Sequence, residues 1–84
     1  MEERSYTLYE FKLLPEVEQF YLVFNRGTFV DSVSNGSKTF ALYAIDKFFV
    51  ELVFDKATNS IKEKREFIEG KLMDKYVSFK WNEN

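Results

Sequence analysis

Histidine and cysteine are both missing from this chain of 84 residues. Without cysteine no disulfide can stabilise the fold. Without either residue a structural zinc site of the usual kind is excluded, because such sites are built mainly from thiolates and imidazoles. The same two residues carry much of the acid–base and nucleophilic chemistry of enzymes. We therefore predict no metal site, no cofactor and no catalytic residue, and we expect a protein that is not an enzyme.

Long apolar runs are missing as well. No stretch approaches the roughly 18 apolar residues that a membrane-spanning helix needs. No apolar run follows Met1–Arg4, so no secretory signal is predicted, and we expect a cytoplasmic protein with no membrane contact. The formal net charge of -2 is too small to indicate a charged polymer as the partner.

Aromatic residues, in contrast, are abundant: 10 Phe, 5 Tyr and 1 Trp. Each can bury about 150–250 Å², which gives a short chain much apolar area per residue. A domain of this length buries only about 60% of the surface that its unfolded chain exposes. We expect a single domain over residues 1–84, stabilised by a dense aromatic core or by association with another subunit.

The single proline and the three glycines mark element boundaries. Pro15 is suited to the first turn of a helix, where Glu16 and Glu18 complement the positive end of the helix dipole. Gly27 is placed to end that helix, which the pattern predicts over residues 15–26. A strand over residues 20–24 is the rival interpretation, because these residues are β-prone.

Four apolar residues of this segment have the i, i+3, i+4, i+7 spacing of one helical face: Val17, Phe20, Tyr21 and Phe24. We interpret this stripe as the face that packs on the core.

Three strands are predicted after the helix. Asn35-Gly36 is a strong hairpin signal, with both residues expected at positive φ, and it joins strands over 28–34 and 38–45. A third strand over 48–54 follows a tight reversal at Asp46-Lys47. A buried helix over residues 40–54 is the alternative for this apolar region.

The last third of the chain is more ambiguous. Residues 61–67 alternate in a way typical of a charged edge strand, which would extend the meander. Ser60 and Glu63 also have the spacing of a helix capping box, so a helix is the alternative. A short helix around 71–77, a strand over 77–81 and the type of the segment from Tyr6 to Leu13 stay open.

The fold class predicted from these elements is α+β. One N-terminal helix packs on an antiparallel meander sheet of three to four strands, and short terminal segments fold onto it.

Three carboxylates at strand ends or on a strand face are the candidates for acid–base chemistry: Asp46, Glu51 and Asp55. We interpret all three as solvated charges. Glu51 lies between Val50 and Leu52 in an apolar run, and we expect it at a margin of the sheet.

The C-terminal region contains cations and aromatic residues that could contact nucleic acid. Acidic residues such as Glu63 and Glu66 interrupt the run, and the basic isoelectric point typical of such binders is missing. Nucleic acid is therefore not the expected partner. A module that binds a small molecule or nucleic acid through this aromatic and basic region is the alternative function.

The two middle strands are apolar on both faces, whereas a sheet with one solvated face should show a polar row. One helix covers about one face, so either the terminal segments or a second chain must cover the other. We predict a homodimer, with Tyr43, Ile45, Phe49 and Val53 as the possible interface. The predicted function is a non-catalytic protein–protein interaction or accessory domain that self-associates.

Overall fold

A computed structural model of the chain describes residues 5–68 and residue 76. Within them lie two helices, α1 (Leu8–Lys12) and α2 (Glu16–Arg26). Four strands follow: β1 (Thr28–Asn35), β2 (Lys38–Ile45), β3 (Phe48–Asp55) and β4 (Ser60–Phe67). The strands form one antiparallel sheet in the order β1-β2-β3-β4, which is a meander.

This architecture confirms the predicted α+β class, the helix and the strands. The rival interpretations, a strand within α2 and a helix over β2–β3 or over β4, are wrong. The helix considered around 71–77 and the strand considered over 77–81 lie outside the described residues, apart from Tyr76.

The first hairpin forms at the predicted place, with one difference in the turn. Asn35 stays in the strand and pairs with Lys38, so Gly36 and Ser37 form the loop. Gly36 has a φ of 67°, whereas Asn35 is not at positive φ. A two-residue loop that opens with such a glycine is typical of a type II′ turn, in which only the first loop position requires positive φ.

The second turn, at Asp46-Lys47, connects three parts of the molecule. Asp46 adopts a φ of 51°, which aspartate tolerates better than most residues. Its carboxylate accepts the Tyr6 backbone N–H at 2.7 Å and the Arg26 guanidinium at 3.1 Å. The turn therefore links the segment before α1 and the end of α2 to the sheet.

The core lies between the helices and one face of the sheet. Phe11 of α1 contacts Phe48 of β3 with ring centroids 5.1 Å apart. The buried cluster consists of Phe11, Leu22, Val23, Ile45, Phe48, Val50 and Leu52. This face of the two interior strands is thus covered by apolar side chains from both helices.

Helix α1 occupies part of the segment whose type the sequence left open. Thr7 and Glu10 form a capping box: the Glu10 N–H donates to the Thr7 hydroxyl, and the Thr7 N–H donates to the Glu10 carboxylate, both at 3.1 Å. The buried amide of Gln19 donates to the carbonyl oxygens of Phe11, at 2.9 Å, and Leu14, at 3.2 Å. These bonds tie α1 to α2.

The orientation of α2 differs from the predicted one. Its buried residues are Gln19, Leu22 and Val23, with Phe20 half-buried. The prediction that the stripe begun by Val17 faces the core is wrong, since Val17 and Tyr21 are exposed.

Two constraints explain this rotation of the helix. The Gln19 hydrogen bonds fix one side of α2 against α1. Gly27 alone connects α2 to β1, and any side chain there would collide with the Val23 carbonyl oxygen and crowd Ile45. Because both contacts place residues 19 and 23 inside, the apolar side chains of Val17, Tyr21 and Phe24 face outward.

Candidate functional site

Glu51 lies in the middle of the sheet, on the face opposite the helices. Its cross-strand neighbours are Leu42 of β2 and Arg65 of β4. The residue is fully buried. The interpretation of Glu51 as a charge at the sheet margin is therefore wrong, because β3 is an interior strand and Glu51 is at its centre.

Both carboxylate oxygens of Glu51 have donors. The Arg65 guanidinium donates to Oε1 at 3.2 Å, and the Tyr76 hydroxyl donates to Oε2 at 2.8 Å. Arg65 also pairs with Glu63 on its own strand. A buried carboxylate is tolerated when it is paired and hydrogen-bonded in this way.

The two donors to Glu51, Tyr76 and Arg65, keep their protons near neutral pH. Burial, together with the hydrogen bond to Glu51, raises the pKa of Tyr76 above its ordinary value. The hydrogen bond to Glu63 raises the pKa of Arg65, which is a cation in any case. Tyr76 is therefore a hydrogen-bond donor here, and the arrangement encloses the Glu51 carboxylate.

Asp46 and Asp55, the other two carboxylates considered, are placed in turns. Asp46 binds backbone and guanidinium groups, and Asp55 Oδ1 accepts the Ala57 N–H at 3.0 Å. Their positions agree with structural roles at the sheet ends.

The four residues predicted as an interface do not form one surface. Tyr43 pairs with Val50 and Ile45 pairs with Phe48, so both lie on the helix-covered face. Phe49 and Val53 lie on the face of Glu51, because side chains alternate along β3. Ile45 and Val53 are buried within the monomer, and Phe49 stacks on Phe67.

Tyr76 contacts the face of Glu51. Tyr76 has no exposed surface and bonds Glu51, while Leu42 and Val53 beside it are also fully buried. This contact agrees with the alternative that a terminal segment covers the second face.

An exposed apolar surface lies elsewhere, on the outer side of α2 and the start of β1. We call it the aromatic ridge, and it consists of Val17 (75% exposed), Tyr21 (61%), Phe24 (52%) and Phe29 (55%). Phe24 stacks on Phe20, with ring centroids 6.3 Å apart. Phe24 and Phe29 both meet the ring of Tyr43 edge-on, at 5.9 and 5.7 Å. These contacts join the helix and strand parts of the ridge.

The ridge is large for so small a chain. At about 200 Å² for a fully exposed aromatic side chain, its three aromatic residues and Val17 together expose on the order of 450 Å². Contiguous apolar patches of about 300–600 Å² are the largest on typical monomers and are often functional. Sequence spacing identified three of the ridge residues but assigned them to the core.

The charge around the ridge is low. Of the exposed residues of α2, two are charged, Glu16 and Glu18, and both lie in its first turn at one end of the ridge. The Asn25 amide is engaged by the Tyr21 carbonyl oxygen at 2.8 Å. The surface therefore favours an apolar partner over a charged one.

Two open grooves flank the helices. One, of about 450 Å³, lies between α2 and β4, and its apolar residues are Phe20, Phe54 and Ile61. Two lysines and two glutamates line it as well, and these charges balance. The other, of about 520 Å³, lies between the segment before α1 and the Asp46-Lys47 turn, beside Ile68. The lining of neither groove contains Glu51, Arg65 or Tyr76.

Comparisons with protein family models, with curated proteins and with solved structures found no match to this chain. Neither helix found in residues 5–68 is long and apolar enough to cross a membrane. Across the described residues, no group of three or more carboxylates could bind a metal ion.

Proposed function

We propose that this chain is a non-catalytic protein-interaction domain that self-associates, and that the aromatic ridge binds a second copy of the chain. The observation that carries the proposal is the exposure of Val17, Tyr21, Phe24 and Phe29 on one side of the molecule. Burying this surface removes apolar area from water, which is the main driving force of most protein association.

The size of the ridge sets the expected strength of the dimer. A standard interface buries about 800 Å² on each partner, and the ridge supplies a little over half of that. Residues at its rim would add the polar remainder. We therefore expect a weak dimer that forms in a concentration-dependent way.

The low charge of the surface supports a second copy as the partner. A two-fold dimer places the same patch on both subunits, so a charged patch would repel itself. The two glutamates near the ridge lie together in the first turn of α2, so a pairing that keeps the two first turns apart meets little like-charge repulsion.

The enclosure of Glu51 supports the non-catalytic part of the proposal. Glu51 has no exposed surface, and its two oxygens accept bonds from Arg65 and Tyr76. A general acid or base must come within hydrogen-bond reach of its substrate, and this carboxylate is enclosed.

The alternative function, binding of a small molecule or nucleic acid near the basic region, has less support. Lys62 and Lys64 line the groove beside β4, but Glu16 and Glu63 line it too. Lys64 forms an ion pair with Glu66, and Arg65 pairs with Glu51 and Glu63. Cations engaged in this way are poor phosphate ligands.

Sedimentation equilibrium from about 5 to about 500 μM tests the proposal, since weak protein dimers dissociate in this range. We expect the mass to rise from the 10.1 kDa of one chain towards twice that value. Tyr21→Glu should remain monomeric with an unchanged circular dichroism spectrum, because Tyr21 is exposed. Thr58→Glu, at an exposed turn away from the ridge, is the matched control and should dimerise normally.

A wild-type mass that stays at one chain over the whole range would overturn the proposal. Dimerisation of Tyr21→Glu with wild-type strength would show that the ridge is not the interface.

A further inference from the structure

The spacing of the ridge residues on α2 is that of a helix-packing seam. Val17, Tyr21 and Phe24 are separated by steps of four and then three residues, which alternate along the contact line of paired helices. The opposite side of α2 is already used, because Leu22 and Val23 pack on the sheet. An 11-residue helix with apolar stripes on two sides is suited to lie between its own sheet and another helix.

We infer that α2 packs antiparallel against α2 of the second copy, with Tyr21 at the two-fold axis. This inference rests on the proposed function and adds the orientation and register of the contact. In such a pairing a residue four positions before Tyr21 faces one four positions after it. Val17 therefore lies opposite Asn25 of the partner subunit and next to the partner's Phe24, so the apolar stripe covers itself.

Charge decides between the antiparallel and the parallel orientation. A parallel pair would bring Glu18 against Glu18 of the partner subunit and place both helix dipoles in the same direction. An antiparallel pair moves Glu18 away from its copy, to the level of the partner's Phe24 near the opposite helix end. The dipoles are then opposed, which is the favourable arrangement for neighbouring helices.

The distances that follow from this geometry can be tested with cysteines. Packed helix axes lie about 8–10 Å apart and Cα atoms about 2.3 Å from each axis, which places the two Tyr21 Cα atoms about 3.4–5.4 Å apart. Disulfides need about 4.4–6.8 Å. With a rise of about 1.5 Å per residue, the two Val17 Cα atoms are offset by about 12 Å along the helices, which is too far for a disulfide. Val17 and the partner's Asn25 are level with each other.

The experiment uses single-cysteine variants of the full chain, which has no cysteine of its own. Each is oxidised at a concentration where the wild type dimerises, and the fraction of disulfide-linked dimer is followed on non-reducing gels. Tyr21→Cys should link at least about tenfold faster than the control Thr58→Cys, because pairing raises the local thiol concentration. A mixture of Val17→Cys and Asn25→Cys should give the mixed dimer in preference to either homodimer.

Each other result would contradict the inferred helix pairing alone or together with the proposed function. Rapid linking of Val17→Cys to itself would establish parallel helices, which contradicts the inference and leaves the proposed function standing. A wild-type dimer in sedimentation with all α2 variants linking at the control rate would place the contact elsewhere, which contradicts both the pairing and the ridge. The absence of a wild-type dimer would overturn the inference together with the proposed function.

Discussion

The two faces of the sheet are stabilised in different ways, although β3 contributes to both. On the helix-covered face, β3 presents Phe48, Val50 and Leu52 to an apolar core. On the opposite face its central residue is Glu51, a buried carboxylate with an arginine and a tyrosine as donors. Apolar burial is non-directional, whereas a buried charge depends on specific partners in specific positions. The helix-covered face of β3 is therefore stabilised by non-directional apolar contacts, whereas the opposite face depends on specific hydrogen-bond donors to Glu51.

Placing a carboxylate on the helix-covered face should have the largest effect on stability. Val50→Glu places a carboxylate on the helix-covered face, where Val50 is fully buried and its cross-strand neighbour is Glu66. We expect a loss of more than about 4 kcal/mol in the free energy of unfolding, enough to unfold most of the protein. Circular dichroism and thermal melting measure it.

Glu51→Gln, at the next position of β3, is the control for this change, because glutamine has nearly the same size as glutamate. It should leave the protein folded. If Val50→Glu melted within a few degrees of the wild type, the proposed difference between the faces would be incorrect.

Removing one hydrogen-bond donor to Glu51 should have an intermediate effect on stability. Tyr76→Phe deletes the hydroxyl that donates to Glu51 and leaves the buried ring in place. A lost hydrogen bond to a buried charge costs about 1–3 kcal/mol. Urea titration at neutral pH measures the change. Tyr9→Phe, at a side chain that is 71% exposed, is the matched control and should change stability by less than about 0.5 kcal/mol. Equal stability of the two variants would mean that the Tyr76 hydroxyl contributes nothing.

The smallest expected effect is a pH dependence confined to alkaline solution. In the unfolded chain a tyrosine loses its proton near pH 10, whereas burial raises the pKa of Tyr76 in the fold. Above about pH 10 the unfolded state therefore binds fewer protons than the folded state, and stability falls by up to about 1.4 kcal/mol per pH unit from this group. Below that pH its contribution is constant.

Urea titrations of the wild type and Tyr76→Phe between about pH 9 and 11.5 isolate this contribution. The wild type should lose stability more steeply than the variant above pH 10. Parallel curves would contradict the role of Tyr76.

The elements that depend on local sequence signals could be predicted from the sequence. The glycine at position 36 and the reversal at residues 46–47 marked the hairpins, and the alternation of residues 61–67 marked β4. The spacing of Thr7 and Glu10 forms a capping box at the start of α1, whereas the similar spacing of Ser60 and Glu63 lies in a strand. A short motif is therefore informative only within its surroundings.

The candidate site depended on contacts between distant segments, which the sequence alone could not supply. The rotation of α2 follows from the Gln19 bonds and the packing at Gly27, so spacing found the ridge residues but placed them inside. Glu51 accepts hydrogen bonds from Arg65 and Tyr76, which are 14 and 25 positions away. The sheet register places Arg65 beside Glu51, and the tertiary fold brings Tyr76 to the same carboxylate.

The Gln19 bonds also imply an order of assembly. Helix α1 has five residues, far below the roughly 12 that an isolated helix needs to be even marginally stable in water. Gln19 on α2 adds a donor to the carbonyl oxygen of Phe11, which the Leu14 N–H also reaches, and to that of Leu14 just beyond the helix. We therefore expect α1 to form late, after α2 has docked on the sheet, and to open first when the native state fluctuates.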